Sequence, residues 1–356
     1  MLRQILSETS VKAVRELLEH SERIVITCHV SPDGDAIGSS LGLLHALANI
    51  GKEARIVTPD RTPENIRFLP GVKDIVPYSM YPDFARQLMT EADLIFCLDY
   101  NALYRIDRLQ ELMSVATAKK ILVDHHENPD DFADVVISHP DQSSTSVLIF
   151  RLLCRLELFS AIDRKAASCI YTGMMTDTGN FSYNSNDPDL YVIVAELIKK
   201  GIDKDEIYKK VMHNKRPNVL KLNGYALYNM QYFPESKAAL IVLRTDDLHR
   251  FEYQKGDTEG LVNEPLSVRD IIYSVFIREG ERFQKISTRS KGSLRVNKIC
   301  EKYFNGGGHP NAAGGEFYGT VEEAIETFKK SLDYVNQYIE KREKKKQENN
   351  LIKPEQ

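Results

Sequence analysis

Arg23-Ile-Val-Ile-Thr-Cys28, His29-Val-Ser-Pro-Asp33-Gly-Asp35 and the stretch Ala36 to Gly51 decide the fold. The first is a run of apolar and β-branched residues of strand length, the pattern of a buried strand. The second is a polar loop that holds His29, Asp33 and Asp35 within seven residues. The third reads as a helix, with Gly38, Ser39, Ser40 and Gly42 in its first turns and Gly51 as a C-cap. Small residues in those turns suit close packing of helix on strand.

The same alternation extends outward. A helix over 11–20 precedes it, and Ala54-Arg-Ile-Val57 is the next strand. Asp93 to Leu98 is a strand ending in Asp99, and Asp107 to Ala118 reads as helical. Lys120 to Val123 is a strand ending in Asp124-His125-His126, and Ala133 to Ser138 is a short strand. Helices are expected over 146–159 and 164–175. Strands alternating with helices imply an α/β domain built on a parallel sheet. In such sheets ligands bind at the carboxyl ends of the strands. The polar clusters after Cys28, Leu98 and Val123 all fall at that edge.

The chain has 356 residues, enough for two domains with their own cores. The boundaries read as a catalytic domain over 1–190, a helical connector over 191–216 ending near Asn214-Lys-Arg-Pro217, a second α/β domain over 217–340 and a polar tail over 341–356. In the second domain, 238–243, 271–278 and 283–288 read as strands and Val296 to Tyr303 as a helix. Gly306-Gly-Gly-His309 opens a flexible loop running to Gly314, and Thr320 with Glu323 forms a capping box for a helix to about Glu340.

A net charge of −4 excludes a polycation, so contact with nucleic acid must come from a local patch. The five cysteines form no CxxC pair, which fits free thiols in a reducing compartment. The N-terminus lacks an apolar signal core, and no apolar run approaches the ~20 residues of a membrane span. A cytoplasmic location without membrane contact is expected.

Four clusters carry chemistry: His29/Asp33/Asp35, Asp99, Asp124-His125-His126, and Asp177 in Met174-Met-Thr-Asp177-Thr-Gly179. Alone, a strand-end aspartate is commonly a cap or turn residue. Gathered at one sheet edge, such carboxylates repel and cannot all stay ionised. Divalent cations remove that conflict. Mixed His and Asp donors suit Mn²⁺, Fe²⁺, Zn²⁺ or Mg²⁺ and argue against Ca²⁺. The donor count suggests two ions, with a carboxylate able to bridge them and a bridging water ionising near neutral pH. Ser143-Ser144-Thr145 reads as an N-cap rather than a phosphate site.

HVSPDGDAIGSSLG, LDYN, VDHHE, TDTGNF and GGGHPNAAGG, in that order over about residues 5–340, resemble the DHH–DHHA1 phosphoesterase superfamily, and within it the bacterial oligoribonuclease (nanoRNase)/pAp phosphatase branch. The resemblance implies that His29 and Asp33 bind one metal, that Asp35, His125 and Asp177 bind a second, and that Asp99 bridges them. It implies that Asp124 orients an imidazole or a bound water and that His126 serves the scissile phosphate or the leaving group. Two positions depart from the family: Tyr100-Asn101 after Asp99, and Asn180 after Gly179. No ligand position is lost.

Between Glu281 and His309 there are seven Lys/Arg and two acids, the local positive patch that the whole chain lacks. By resemblance, Arg289, Gly307, Gly308 and His309 bind substrate phosphate, and Ser287 and Lys291 are further candidates for it. The implied enzyme is a hydrolase of short oligoribonucleotides (nanoRNA, pApA) and of 3′-phosphoadenosine 5′-phosphate, acting by attack of a metal-bridged hydroxide. Its cofactors would be two divalent ions, Mn²⁺ first, with Mg²⁺ or Fe²⁺ as alternatives. Its partners would be short RNA or a phosphorylated nucleotide, with a homodimer as one option. An inorganic pyrophosphatase or exopolyphosphatase shares the metal cluster, and a catalytically silent nucleotide-binding regulator is the non-enzyme alternative.

Overall fold

A computed structural model of the chain describes residues 2–213 and 215–351, with side chains to residue 345. It divides into two compact units, Met1–Asn214 and Lys215–Gln356. The first unit runs α1 (Glu8–His20), β1 (Ile24–Cys28), α2 (Gly34–Ala48), β2 (Ala54–Thr58), β3 (Val76–Pro77), α3 (Pro82–Glu91), β4 (Leu94–Leu98), α4 (Leu109–Val115), β5 (Lys119–Asp124), β6 (Val135–Ser138), α5 (Thr145–Arg155), α6 (Arg164–Asp177), α7 (Pro188–Lys199) and α8 (Lys204–Met212).

Its sheet has six strands in the order β3-β2-β1-β4-β5-β6, and every pairing is parallel. The strands are buried on both faces, as their apolar runs require. Ile24, Ile26, Phe96 and Val123 face a core shared with α1, α2, α5 and α6. Val25, Ile95, Cys97 and Leu122 face a second core with Ala85 and Met89 of α3 and Leu112 of α4. The strand order reverses between β1 and β4, because the chain moves to one side after β1 and returns to start the other side with β4. That switch point leaves a crevice at the carboxyl ends of β1 and β4. His29 follows β1 and Asp99 follows β4.

Helix α2 lies unusually close to α6. A Cβ on Gly38 would stand 2.6 Å from the Cys169 carbonyl oxygen and 2.8 Å from the Gly173 nitrogen. Gly38 and Gly42, expected to let the helix pack on a strand, instead set contact of helix on helix. Stretch 191–216, expected as a connector, is largely helical. Ile193, Leu197, Ile207 and Val211 lie in the first unit's core, so that unit extends past residue 190. Asn214 lies outside the described residues. The short elements β3 and α3 were not anticipated.

The second unit contains α9 (Pro217–Tyr228), β7 (Gln231–Phe233), β8 (Ala238–Leu243), α10 (Thr245–Arg250), β9 (Tyr273–Arg278), β10 (Gln284–Ser290), α11 (Val296–Tyr303), β11 (Gly306–His309), β12 (Ala312–Phe317) and α12 (Val321–Leu351). Its sheet is β11-β12-β10-β9-β8-β7, antiparallel except for the β8–β9 pair. Ile286, Val275 and Leu240 pack with Ile299 of α11 and Phe328 of α12. The expected flexible loop at 306–314 is corrected here: Gly306–His309 is an edge strand paired with β12. Crowding explains Gly306 and Gly315, where a Cβ would strike the Gly314 and Phe304 carbonyls. The Thr320/Glu323 capping box is present, with the Thr320 amide donating to Glu323 Oε2 at 2.8 Å and the Glu323 amide to Thr320 Oγ1 at 3.1 Å. The helix it opens continues past Glu340 to Leu351, and the last residues of the expected tail, 352–356, lie outside the described residues. All five cysteines are free thiols. Among the described residues no helix is long and apolar enough to cross a membrane.

The α2–α6 contact gives a signed prediction. In an open helix, Gly→Ala gains about 1 kcal/mol. Gly38→Ala should instead lose about 1–3 kcal/mol through overpacking, measured by urea unfolding. A stabilised variant would show that the two helices can separate without cost.

Candidate active site

Asp33 N-caps α2, its Oδ1 accepting from the Asp35 amide at 2.9 Å and the Ala36 amide at 3.1 Å. The cap pins the first turn of α2 and with it Asp35, which is buried. His29 lies at the end of β1. Its Nδ1 is 2.8 Å from the Val30 carbonyl oxygen, which can only accept, so Nδ1 is the donor, and in the neutral ring Nε2 carries the lone pair. That Nε2 lies 3.7 Å from Asp33 Oδ1 and 3.4 Å from Asp99 Oδ2.

The second imidazole is arranged in the same way. His125 Nδ1 lies 3.2 Å from the Gln142 carbonyl. Its Nε2 lies 3.4 Å from Asp99 Oδ1, 3.5 Å from Asp177 Oδ2 and 4.0 Å from Asp35 Oδ2. Asp99 therefore turns one oxygen to each histidine. It does so from a left-handed backbone, φ 65°, with its amide held by the Val123 carbonyl at 3.1 Å. Such a conformation is costly for a residue with a Cβ, so the surrounding hydrogen bonds must hold it.

Three groups of the first unit bring one donor atom per residue within 4.8 Å of one another: His29/Asp33/Asp99, Asp35/His125/Asp177 and Asp99/Asp124/His126. In the third, His126 Nδ1 sits 2.7 Å from Asp124 Oδ1, and the His126 amide donates to Asp124 Oδ2 at 2.9 Å. Asp124 thus fixes the ring of its neighbour. The sequence-expected ligands of this unit are all brought to the β1/β4 crevice.

The electrostatics show what such a cluster needs. Burial raises the Asp35 carboxyl, and the charges of Asp99 and Asp177 raise it further. Burial also pushes Asp177 up to about 7, with His125 opposing and Asp33 and Asp99 assisting. For His29, burial disfavours the charged ring, but hydrogen bonds and charge from Asp33 and Asp99 outweigh it and push the ring up to about 10. His125 rises too, as Asp177, Asp99 and Asp35 overcome its burial. Asp99 falls below its ordinary range, since His125 and His29 outweigh burial. His126 moves the other way, lowered by burial despite Asp124, with Arg105 adding to the fall. Among the described residues, the ion pairs of Asp33, Asp35, Asp99 and Asp177 run to histidines and none to Lys or Arg. Without metal, protons are the cations of this site. Two Nε2 donors facing carboxylate oxygens, each ring aimed by a backbone carbonyl, fit divalent metal ions.

Comparison with known proteins accounts for both units. Residues 23–174 match the DHH family, N-terminal domain, and residues 238–341 match the DHHA1 domain. The chain is 30% identical over 318 residues to the bifunctional oligoribonuclease and PAP phosphatase NrnA of Thermus thermophilus, covering 89% of this chain and 91% of that one. The chain belongs to the DHH–DHHA1 phosphoesterase family. The NrnA of Bacillus subtilis is 29% identical over 85% of this chain and 91% of its own length. A crystal structure of an exopolyphosphatase-related protein from Bacteroides fragilis is 47% identical, covers 95% of this chain and 100% of that one, and superposes with a TM-score of 0.92. This DHH–DHHA1 protein is a phosphoester hydrolase, and the family uses divalent metals.

In the DHHA1 domain, Arg289 of β10 and His309 of β11 stand opposite the same residue, Ala312 of β12. Residues directly opposed across strands share a face, so a small side chain separates the two basic groups on one face. One row along, Ser287 and Gly307 flank Gly314 in the same way. A Cβ on Gly307 would meet open space, so that glycine leaves the face flat rather than relieving a clash. Gly308 has φ 137° and a Cβ there would crowd Ala312 and Ala313. Arg289 Nη1 donates to its own strand at the Thr288 carbonyl, 2.9 Å away. Lys291 Nζ donates to the Val268 carbonyl at 2.7 Å, a structural contact.

Several residues of the DHH unit escaped the sequence reading. Thr145 and Ser146 hold site carboxylates, and Gln142 aims His125. Of the departures from the family, Tyr100 and Asn101 have structural roles. Tyr100 is wholly buried, its hydroxyl 2.8 Å from Thr27 Oγ1 and its ring stacked on Phe132. Asn101 Nδ2 donates to the Glu127 carbonyl at 2.7 Å, tying the end of β4 to the segment after His126.

Because metal-bound imidazole must be neutral, metal uptake near pH 7.5 should release about one proton or more per chain. The sign follows from His29: raised to about 10, its ring is protonated without metal below that pH, and the release should fade as pH approaches it. Titration calorimetry of Mn²⁺ in buffers of different ionisation enthalpy reads the proton count. A heat independent of buffer would contradict the charge balance described above.

Proposed function

We propose that this protein is a Mn²⁺-dependent hydrolase of short oligoribonucleotides and of 3′-phosphoadenosine 5′-phosphate. The observation that carries the reading is Asp99, with Oδ2 3.4 Å from His29 and Oδ1 3.4 Å from His125. One carboxylate facing two separate His/Asp groups is the arrangement that a bridging ligand of a two-metal site requires. His29 and Asp33 would hold one ion, and Asp35, His125 and Asp177 the other. The mixed imidazole and carboxylate set favours Mn²⁺, with Mg²⁺ and Fe²⁺ behind it. When bound, two such ions would supply an activated water and offset charge on the phosphoryl oxygens.

The chain's own groups do the rest. Asp124 holds the His126 ring through Nδ1, and we assign Nε2 to the scissile phosphate or the leaving oxygen. In the DHHA1 domain, Arg289 and His309 would grip a terminal phosphate, with the backbone of Gly307 and Gly308 alongside. The names of the relatives at 29–30% identity support short RNA and PAP as substrates.

A second reading has a specific observation behind it. The relative of known structure at 47% identity is described as exopolyphosphatase-related. The two readings separate on a substrate panel with Mn²⁺: PAP, pApA, a 5-mer RNA, a 24-mer RNA, pyrophosphate and polyphosphate. We expect turnover of PAP and of oligomers of two to five residues, faster than the 24-mer at equal concentration of ends. Preferred turnover of polyphosphate would transfer the assignment to the second reading.

Two variants test the site. Asp99→Ala should cost at least ~10³-fold in kcat, the scale of losing a major electrostatic contribution to the transition state. A loss under tenfold with unchanged metal content would show that Asp99 does not bridge. Arg289→Ala should weaken PAP binding about 10- to 200-fold by removing a charge-assisted contact. It should leave metal content and hydrolysis of bis-p-nitrophenyl phosphate nearly unchanged. Equal losses on both substrates would place Arg289 at the scissile phosphate.

A further inference from the structure

Helix α5 begins at the metal cluster, and its first two residues touch two different members of it. The Thr145 amide donates to Asp35 Oδ2 at 2.6 Å and the Ser146 amide to Asp35 Oδ1 at 2.9 Å. Separately, Thr145 Oγ1 donates to Asp99 Oδ1 at 2.9 Å. Thr145 is wholly buried, and the hydroxyl that caps the helix belongs to its neighbour: Ser144 Oγ accepts from the Val147 amide at 3.2 Å. The Thr145 hydroxyl is therefore not needed as a cap.

We propose that Thr145 is a positioning residue for metal uptake: its hydroxyl fixes the rotation of the Asp99 carboxylate so that one oxygen faces each ion. The inference rests on the two-metal reading above and deepens it. A carboxylate turns easily about its last bond, and Asp99 enters the site from a left-handed turn that offers no helix or strand to steady its side chain. Its two oxygens must nonetheless stay divided between the His29 side and the His125 side. Oδ1, the oxygen near His125, is the one that Thr145 engages. The contact is made to an ionised acceptor in a buried place, where such bonds are strongest. The same residue's amide, with that of Ser146, holds Asp35 in register with His125. A single helix start thus sets the spacing between the bridging carboxylate and a ligand of the second ion. The acidic groups there also gain from the positive end of α5.

Thr145→Val keeps side-chain shape and both backbone donations to Asp35, and removes only the bond to Asp99. Thr145→Ser keeps the hydroxyl. The measurement is calorimetric titration of the full chain with Mn²⁺, alongside circular dichroism. Wild type should bind two ions. Thr145→Val should lose roughly 10- to 100-fold in affinity for at least one of them, the usual cost of losing a group that orients a metal ligand. Thr145→Ser should stay within about threefold of wild type. Thr145→Ala, which removes the hydroxyl without adding bulk, should repeat the valine result if the valine variant folds poorly. Wild-type affinity for two ions in folded Thr145→Val or Thr145→Ala overturns the role of Thr145 while leaving the two-metal reading intact. Wild type taking up fewer than two ions overturns that reading and this role together.

Discussion

The close approach of α2 to α6 is the constraint on which the rest of the DHH unit depends. Gly34 lies against Thr176, Gly38 against the backbone of Cys169 and Gly173, and Gly42 against Ile170. Side chains at those positions would force the helices apart. Asp35 stands at the start of one helix and Asp177 at the end of the other, so the glycine seam is what brings both to His125. Gly173 has a second duty, because a Cβ there would press on Asp35 Oδ1, 2.8 Å away, and on the Ser146 hydroxyl. Packing and ligand geometry are one problem in this unit.

The seam creates an electrostatic debt that the protein chain does not settle by itself. Carboxylates from four segments converge in a buried crevice, and among the described residues no Lys or Arg pairs with them. The carboxylates drive His29 and His125 up, so protonated histidines partly neutralise the site, while burial and the neighbouring carboxylates drive Asp35 and Asp177 up despite those histidines. Two divalent cations would replace those protons and relieve every one of these conflicts at once. The strand order supplies the place, since β1 and β4 diverge at the switch point.

Much of this was legible in the chain. Strand-end polar clusters in an α/β pattern announced both the sheet and its functional edge, because the central strands carry apolar runs and the candidate ligands His29, Asp99 and His125 follow directly after them. Contacts set by tertiary approach were not legible. Thr145 and Asp35 are 110 positions apart, and a Ser/Thr run before a helix reads locally as a cap, which Ser144 indeed is. Gly306–His309 looks like a loop because glycine has low strand propensity, and only pairing with β12 makes it a strand. The helices α7 and α8 look like a connector by charge, while Ile193, Leu197 and Val211 tie them to the core.

Whether Asp99 can join two metal ions is open to anomalous diffraction from crystals grown with Mn²⁺. Two peaks are expected, one held by His29 and Asp33, the other by Asp35, His125 and Asp177, with Asp99 touching both. A single peak, or a peak held by Asp124 and His126 in place of either group, would remove Asp99 from the role of bridge.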